Sequence, residues 1–523
     1  MKNKTLIAGT LIAIVVSLIF LTNDTSLINK PLTTNIQGLE DAQASRVVEL
    51  KNGDTYDLTA SIVRKVISGN EIKMLAYNGS IPGPVIKVPK GAEITVNFTN
   101  RTDVPTTIHS HGVRLDNAFD GVPGVTQKEV GIGQSFSYKL KFPDEGVYWY
   151  HPHLREDYAQ ELGLYGNYIV VSDNPNYWSP VNKEVPLMVD DILIENGKPA
   201  PYGSVANYAL MGRFGNVMLV NGVDNYSLDV AQGEVARFYI TNTANTRVFN
   251  LAIPGAKIKL VGGDNGKYER ETFVDNVILG PSERAVVEVL FDSSGTYTLQ
   301  HKTPAKTYTM GTIQVSAEKA ATSYTSKFLT LRTNRDTIAS IDPFRRHFDK
   351  RDDKSIALTV DMGSMGMGGG HMMPDGTRMG NGGMMMGGND GEKIEWEDSM
   401  AMMNTMSFAN IIQWKIVDQE TKKENDSIDW KFKVGDAVKV KIYNDPNSAH
   451  PMQHPIHFHG QRFLILSING VKNTNMVWKD TMLVQKGDAV EILVVMENPG
   501  VWMAHCHIAE HLESGMMFDF MVE

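Results

Sequence analysis

The chain has 523 residues, with 42% hydrophobic and 21% charged residues, a composition typical of a soluble globular protein with room for about three or four domains. Its formal net charge of −10 argues against a nucleic-acid-binding protein, which needs a basic surface. The single cysteine, Cys506, excludes an internal disulfide and leaves either an inert buried thiol or a reactive or metal-binding thiolate.

The N-terminus has the pattern of an export segment. Lys2 and Lys4 precede an uncharged apolar run over residues 5–22, which is also long enough to span a membrane. The nearest Ala-x-Ala, at 42–44, lies too far downstream for cleavage, which favours an uncleaved N-terminal membrane anchor over a removed signal peptide. We therefore expect residues 1–44 to lie outside the fold and the protein to be extracytoplasmic: periplasmic, on the cell surface or secreted.

The rest of the chain predicts β-strands that recur in three similar units. Polar and apolar residues alternate in short runs such as 91–98, and long amphipathic helices are hard to find. A glycine followed nine residues later by an asparagine, with a strand-like run between, occurs at Gly91/Asn100, Gly233/Asn242 and Gly435/Asn444. Because internal repetition is a fold-level signal, we predict an all-β chain of three sandwiches. Their predicted bounds are 45–178, 179–325 and 354–523, with a linker at 326–353.

Four His-x-His pairs lie in the outer two units and none in the middle one. They are His109/His111, His151/His153, His457/His459 and His505/His507. In a strand, residues i and i+2 point to the same face, so each pair aims two imidazoles together. The pattern predicts a metal site shared by the first and third domains, with the middle domain as a spacer.

Cys506 indicates which metal the protein binds. It lies between His505 and His507, so its sulfur points to the opposite face. Two histidines, a thiolate and a weak axial methionine form a blue-copper electron-transfer site, and His454, Cys506, His511 and Met516 have that composition. The sequence thus predicts a short covalent route for electrons from this site to the histidine pair on either side of the cysteine.

A methionine-rich insertion interrupts the third unit. Residues 362–406 hold 13 of the 27 methionines, most of them among glycines, so a flexible segment is predicted. Thioethers select Cu(I), which suggests that the segment collects Cu(I) and passes it to a site beside the blue copper. The alternative is a lid that is methionine-rich without binding metal, or a sink for oxidants.

Taken together, the four histidine motifs resemble the four copper motifs of the multicopper oxidases, a family that includes laccases and bacterial cuprous oxidases. The resemblance runs from residue 45 to 523 and implies three consecutive cupredoxin-like Greek-key β-sandwich domains and four copper ions per chain. It implies that His109 and His457 hold a mononuclear copper, and that a binuclear pair is held by His111, His151, His153, His459, His505 and His507. It also implies one-electron oxidations at the blue site, with Met516 as axial group, coupled to the four-electron reduction of O₂ to water.

The resemblance extends to candidate proton-delivery and substrate residues. Asp120 is similar to an acid that assists proton delivery in such enzymes. Many bacterial relatives have a glutamate directly after the second blue-site histidine, where this chain has Leu512, which leaves Glu513 and Glu510 as weaker candidates. The insertion is similar to that of cuprous oxidases and implies Cu(I) as substrate, in copper tolerance. The substrate-site candidates are Asp361, Met362, His450 and Met452, with His450 standing where an aspartate is expected.

Other functions remain open at this stage. Within the same family, the alternative is a laccase that oxidises phenols or other metal ions such as Fe(II) or Mn(II). A non-catalytic copper-binding cupredoxin is disfavoured because every ligand position is filled, and a copper nitrite reductase because eight cluster histidines lie within one chain. We expect a monomer whose partners are O₂ and a small reductant, with no nucleic acid.

Overall fold

The computed structural model describes residues 32–363 and 392–523. Their regular structure consists mainly of β-strands, with a few short helices. The all-β class predicted from the alternating runs is confirmed. Within the described ranges, no helix has the length and apolar character needed to cross a bilayer. The apolar run of the predicted export segment and most of the methionine-rich insertion lie outside the described residues. The end of the segment 1–44, which was expected to lie outside the fold, instead contacts the first sheet pair: the Ala42 and Gln43 N–H groups donate to the Arg64 and Gly79 carbonyls at 2.7 and 2.8 Å.

The first sheet pair spans residues 47–171. Its strands are β1 (Val47–Glu49), β2 (Thr55–Ile67), β3 (Asn70–Tyr77), β4 (Val85–Pro89), β5 (Glu93–Arg101), β6 (His109–His111), β7 (Ser135–Lys141), β8 (Gly146–His151) and β9 (Gly166–Val171). A 3₁₀ helix (Asn117–Phe119) and helix α1 (Glu156–Ala159) lie between strands. The sheets have the orders β3-β2-β5-β7 and β1-β4-β9-β8-β6.

The middle sheet pair begins at residue 183. Its strands are β10 (Lys183–Ile192), β11 (Ile194–Glu195), β12 (Lys198–Pro199), β13 (Val217–Val220), β14 (Tyr226–Gln232), β15 (Val235–Asn242), β16 (Phe249–Ala252), β17 (Lys257–Gly263), β18 (Gly266–Val274), β19 (Val277–Leu279), β20 (Arg284–Leu290), β21 (Gly295–Lys302) and β22 (Thr307–Lys319). The large sheets are β13-β10-β15-β20-β17-β18 and β14-β22-β21-β16-β19, and β11 pairs with β12. Helices α2 (Thr325–Leu329) and α3 (Arg335–Ile341) and a 3₁₀ helix (Asp342–His347) follow, across most of the predicted linker.

The last sheet pair contains the C-terminal histidine motifs. Its strands are β23 (Lys354–Asp361), β24 (Gln413–Asp418), β25 (Trp430–Phe432), β26 (Ala437–Asn444), β27 (His454–Phe458), β28 (Arg462–Ile468), β29 (Val471–Lys472), β30 (Thr481–Val484), β31 (Ala489–Val495), β32 (Gly500–Cys506) and β33 (Met517–Val522). Helices α4 (Ala401–Thr405) and α5 (Ala509–Glu513) and a 3₁₀ helix (Asn425–Ser427) lie between them. The sheets are β24-β23-β26-β31-β28-β29 and β25-β33-β32-β27-β30.

The glycine–asparagine repeat has one structural role in all three copies. Each glycine has a positive φ, between 78° and 95°, at the turn before β5, β15 or β26. Each asparagine is the last or last-but-one residue of its strand and is buried. Its side-chain amide donates to two backbone carbonyls: Val104 and Val130 for Asn100, Arg247 and Leu279 for Asn242, and Met452 and Val484 for Asn444. The repeat therefore marks a recurring buried brace that ties the strand end to two loops.

The first and last sheet pairs share one buried apolar core. One continuous apolar cluster includes core residues of both, such as Trp149 and Trp502, whereas most of the middle pair packs around a second cluster that includes Phe249. The strands bearing the histidine pairs thus meet across a shared interior from which water is excluded.

Candidate metal centre

The four histidine pairs lie at the ends of paired strands and converge. β6 pairs with β8 so that His109 faces His151, and β27 pairs with β32 so that His457 faces His505. The two sheets face each other, and all eight imidazoles are at most 7% exposed. In the middle sheet pair, the equivalent pairing is Leu251 with His301, so this unit brings no second histidine to the position. The structure therefore brings together the eight residues that the spacing predicted.

Backbone carbonyls set the tautomers of several cluster histidines. The Nδ1 atoms of His109, His151, His457 and His505 lie 2.8, 2.7, 2.8 and 2.9 Å from the backbone oxygens of Asp120, Pro152, Asp480 and Cys506. A carbonyl only accepts, so each Nδ1 has the proton and each Nε2 has a free lone pair. The Nε2 atoms of His109, His151 and His457 are buried and have no hydrogen-bond partner. Orphaned lone pairs of this kind are the donors that a metal ion requires.

The Nε2 atoms of His459 and His505 face each other directly. His459 Nδ1 lies 2.9 Å from Asp120 Oδ2, a carboxylate oxygen that accepts, and His505 Nδ1 faces the Cys506 carbonyl. Their Nε2 atoms, both without a proton, lie only 3.0 Å apart. Two lone pairs repel at this distance unless a cation lies between them, so the arrangement fits a bound metal.

Burial favours the neutral form of seven cluster imidazoles. It lowers the pKa of His111, His151, His153, His457, His459 and His507 well below the ordinary value, and neighbouring imidazoles lower it further. Burial likewise lowers the pKa of His505 to about 4. A neutral imidazole is the form that binds metal, so no proton has to be displaced near neutral pH.

Potential ligand atoms in the cluster form overlapping groups of close neighbours. Three groups contain only histidines: His109/His457/His459, His111/His151/His507 and His153/His459/His505. A fourth group combines His111 and His457 with the Asp480 carboxylate. Each group has its atoms within 4.8 Å of one another, and together the groups include all eight cluster histidines. The donor set therefore fits three neighbouring ions with imidazole ligands, a ligand type suited to copper.

The cysteine site lies on the other side of β32. Cys506 Sγ lies 3.6 Å from His454 Nδ1 and 3.8 Å from His511 Nδ1, and the two nitrogens are 3.4 Å apart. Bonds of about 2.0–2.3 Å from a central ion to three ligands in one plane would separate those ligands by roughly 3.5–4 Å, which matches this triangle. All three side chains are buried. The site thus has the size and the donor atoms of a trigonal His₂Cys copper site.

Met516 is held next to that triangle by the backbone. Its carbonyl accepts from Cys506 N–H at 3.1 Å, and its own N–H donates to the His511 carbonyl at 3.0 Å. The residue is fully buried. Burial raises the pKa of the Cys506 thiol, so the thiolate needs a bound cation to form.

Trp414 encloses the cysteine site and was not singled out from the sequence. Its ring stacks on His511 at 4.0 Å and meets His454 edge-on at 4.9 Å. Its indole N–H donates to the Ala209 carbonyl at 2.8 Å, and the side chain is fully buried. A tryptophan in a strand looks like core from sequence alone, and only the tertiary contacts reveal this position.

Glycines explain why each of the first and third motifs ends in His-x-His-Gly. A Cβ on Gly112 would lie 2.2 Å from Asp480 Oδ2 and 2.9 Å from an Arg284 nitrogen. A Cβ on Gly460 would lie 2.3 Å from the Trp502 ring. Both glycines also have a positive φ, of 81° and 63°, so a side chain would be strained as well as obstructed.

Among the candidate proton-delivery acids, Asp120 reaches the cluster. Its Oδ2 contacts His459 Nδ1, its Oδ1 lies 3.3 Å from His109 Nδ1, and the residue is 1% exposed. Glu513 instead lies beside Arg155 and Asp157 near the start of α1, where burial raises its pKa to about 7. Glu510 accepts from the Thr246 hydroxyl at 3.2 Å, and burial raises its pKa to about 8.

A carboxylate that the sequence analysis did not single out lies closer to the second histidine pair. Glu156 Oε1 is 3.7 Å from His153 Nδ1, and Oε2 is 4.0 Å from His151 Nδ1. Neither oxygen has a hydrogen-bond partner, and burial raises the pKa of this carboxyl well above its ordinary value. The only signal in the sequence was that Glu156 lies three residues after His153. An acid at this place looks like an ordinary carboxylate in the first turn of a helix.

The substrate-site candidates lie on two segments that are tied together. Asp361 ends β23 and is exposed, and Met362 follows it, packed against the core. The Ser448 hydroxyl lies 3.1 Å from both the Thr359 hydroxyl and the Val360 N–H, which fastens the loop before His450 to this strand end.

The other two candidates, His450 and Met452, follow Ser448 in the same segment before β27. Met452 is fully buried. The His450 ring lies 6.4 Å from Trp414, and burial lowers its pKa to about 4. His450 Nε2 is buried without a hydrogen-bond partner, so the protein leaves this ring nitrogen unsatisfied.

Comparison with known proteins gives a consistent match across the chain. Family profiles described as "Multicopper oxidase" match residues 60–175, 172–326 and 396–523. The chain is 25% identical over 460 residues to "Multicopper oxidase mco" of Staphylococcus aureus, covering 86% of this chain and 84% of that protein. It is 23% identical over 600 residues to "Copper resistance protein A" of Escherichia coli, covering 90% and 93%.

Solved structures share the fold. "Multicopper oxidase from Campylobacter jejuni: a metallo-oxidase" superposes with a TM-score of 0.67 at 24% identity, covering 94% of this chain and 99% of that one. A multicopper oxidase from Aquifex aeolicus superposes with a TM-score of 0.67 at 22% identity, covering 93% and 100%.

Proposed function

Because the chain belongs to the multicopper oxidase family, we propose that it oxidises Cu(I) and couples four such oxidations to the reduction of O₂ to water, in copper tolerance. One observation carries the proposal: Cys506 Sγ belongs to one group of ligand atoms, while its neighbours His505 and His507 belong to the histidine cluster. One strand therefore links an electron-entry site to an O₂ site through covalent bonds.

The chain is an oxidoreductase whose cofactor is copper. When bound, copper supplies one-electron redox chemistry at the cysteine site and a binding place for O₂ at the cluster. We assign the mononuclear position to His109 and His457, the binuclear pair to the other six cluster histidines, and the blue site to His454, Cys506 and His511 with Met516 as axial group. The orphaned nitrogens and the triangle of donor atoms support these assignments.

Cu(I) as the reductant is supported by soft and unpartnered donors near the blue site. Met452 is buried two residues before His454, and His450 presents an Nε2 without a partner. The five methionines at 362, 400, 402, 403 and 406 are the described part of the insertion, and Met402 is 81% exposed. Thioethers select Cu(I), and imidazole is a ligand suited to copper among other transition metals. The relative named copper resistance protein A supports a role in copper tolerance.

Asp120 is proposed as the acid that serves the cluster, and Glu513 as a more distant one. Four protons are consumed for each O₂, so a carboxylate within reach is required. Asp120 Oδ1 is buried and without a hydrogen-bond partner, next to two cluster histidines. Asp120→Asn keeps the shape, and its amide oxygen can still accept from His459 Nδ1. Because an amide does not deliver a proton, turnover should fall by about 10²–10⁴-fold when samples of equal copper content are compared.

The burial of the cysteine site disfavours bulky organic substrates, the kind that a laccase would oxidise. His454 and His511 are at most 1% exposed, and Trp414 covers both. A small ion that delivers an electron from the loop of His450 needs no opening for an aromatic ring. Both histidine sets of the cluster come from one chain, so we expect a functional monomer. The export pattern supports an extracytoplasmic location.

The test compares Cu(I) and a phenol as rival reductants of copper-loaded protein, with O₂ uptake as the readout. A second protein has the eight methionines of residues 364–391 replaced by leucine. We leave residues 392–406 unchanged because Asn404 Oδ1 accepts from Met211 N–H at 3.0 Å and Lys393 pairs with Asp488. Preferred Cu(I) oxidation that falls in the variant, with phenol oxidation unchanged, supports the proposal. Equal Cu(I) turnover in both proteins would refute delivery by the insertion, and a preference for phenol would make the enzyme a laccase.

A further inference from the structure

The middle sheet pair sends one arginine into the outer sphere of the histidine cluster. Arg284, the first residue of β20, is 1% exposed. Its Nε donates to the Val147 carbonyl of β8 at 2.9 Å, and its two terminal nitrogens donate to the two carboxylate oxygens of Asp480. Arg284 therefore contacts the first and last sheet pairs at once.

Asp480 in turn orients a hydroxyl. Thr481 Oγ1 donates its single proton to Asp480 Oδ1 at 2.9 Å. The same oxygen lies 3.4 Å from His111 Nε2 and 3.2 Å from His457 Nδ1. Because its proton is already donated, the hydroxyl can only accept from these imidazoles.

This arrangement gives His111 the opposite tautomer to its neighbours. His111 Nε2 faces the Thr481 hydroxyl, which accepts, and therefore carries the proton. His111 Nδ1 is buried and makes no hydrogen bond, because Asp480 Oδ1, although 3.4 Å away, lies outside hydrogen-bond geometry. His109, His151 and His457 present Nε2 instead, because carbonyls hold their Nδ1 protons. The Thr481 hydroxyl thus decides which nitrogen of His111 is available to a metal ion.

We propose that Arg284 is a positioning residue of the copper cluster, which acts through Asp480 and the Thr481 hydroxyl to present His111 Nδ1 and His457 Nε2. The middle unit is then part of the metal centre, in addition to spacing the outer two. The inference rests on the ligand assignment proposed above. Outer-sphere partners of metal-binding histidines typically contribute about 10–100-fold in metal affinity, and we expect a loss of that size at the cluster.

The first test uses an isosteric pair at position 481. Thr481→Val removes the hydroxyl with little change of shape, and Thr481→Ser keeps it. The readouts are copper per chain during titration with a copper chelator, the electron paramagnetic resonance signal of the mononuclear copper, and the blue absorption as an internal reference. We expect Thr481→Val to release cluster copper at about 10–100-fold lower chelator concentration, with the blue absorption retained and Thr481→Ser close to the parent protein.

The second test asks whether the effect originates in the middle unit. Arg284→Lys keeps the charge but cannot hold both carboxylate oxygens and the Val147 carbonyl together. The matched control is Arg237→Lys, another buried arginine of the middle unit, which pairs with Glu184 and Glu288 away from the cluster. We expect Arg284→Lys, and not Arg237→Lys, to reproduce the altered resonance signal and the copper loss of Thr481→Val.

The outcomes separate this inference from the function it rests on. If the parent protein holds four coppers and Arg284→Lys and Thr481→Val both match it in chelator titration and resonance signal, the positioning role is wrong and the proposed function stands. If Arg237→Lys loses cluster copper as much as Arg284→Lys does, the effect is general destabilisation and the inference is overturned. A parent protein that never holds copper at the cluster overturns the ligand assignment together with the inference.

Discussion

Replacing Gly112 with alanine tests how closely the buried Arg284–Asp480 pair packs against the first histidine motif. Gly112 has a φ of +81°, and the new Cβ would lie 2.2 Å from Asp480 Oδ2. The left-handed backbone alone costs an alanine about 1–2 kcal/mol. Displacing a buried, bidentate ion pair costs about 3–5 kcal/mol more if the pair breaks. We therefore expect Gly112→Ala to destabilise the fold by about 4–7 kcal/mol in total.

Gly91→Ala is the matched control for this change. Gly91 has nearly the same φ, +78°, and a Cβ there would meet nothing within 4 Å. It should show only the backbone cost of about 1–2 kcal/mol, a shift of roughly 2–8 °C in thermal midpoint for a unit of this size. The assay is thermal unfolding of both variants beside the parent protein, with copper per chain measured on the same samples. Equal midpoint shifts and full copper content in both variants would refute the packing argument.

Three further changes have distinct expected outcomes. Cys506→Ser should remove the blue absorption and one copper per chain while the chain still folds, because oxygen is smaller than sulfur and fits the same buried position; retained substrate oxidation would contradict the proposed electron route. His507→Ala should keep the blue absorption and stop O₂ uptake, measured with an oxygen electrode, and normal uptake would remove His507 from the cluster. Burial and then the charge of Asp191 raise the pKa of Asp190 to about 8, so the folded chain binds this proton more tightly than the unfolded chain and loses stability as the pH rises from about 4 through 8. Asp190→Asn should therefore gain thermal midpoint over the parent protein at about pH 9 and not at about pH 5, and a gain independent of pH would contradict this linkage.

The local sequence determined the histidine pairs and the strands that bear them. Alternation places residues i and i+2 on one face, so each His-x-His pair could be read as two imidazoles aimed together, and Cys506 as aimed the other way. Those predictions depend on covalent geometry and strand period alone, and the convergence of all eight histidines agrees with them. The glycine–asparagine repeat likewise revealed three similar units, although not the buried brace that each asparagine forms.

Only the tertiary structure decided which groups surround the ligands. Arg284 is 196 residues from Asp480 and 137 from Val147, and no local pattern connects them. Trp414 and Glu156 resemble an ordinary core residue and an ordinary helix acid until the sheets are packed. The physical reason is that a ligand motif requires fixed spacing along one strand, whereas its hydrogen-bond partners need only arrive from any part of the chain that shares the same buried interior.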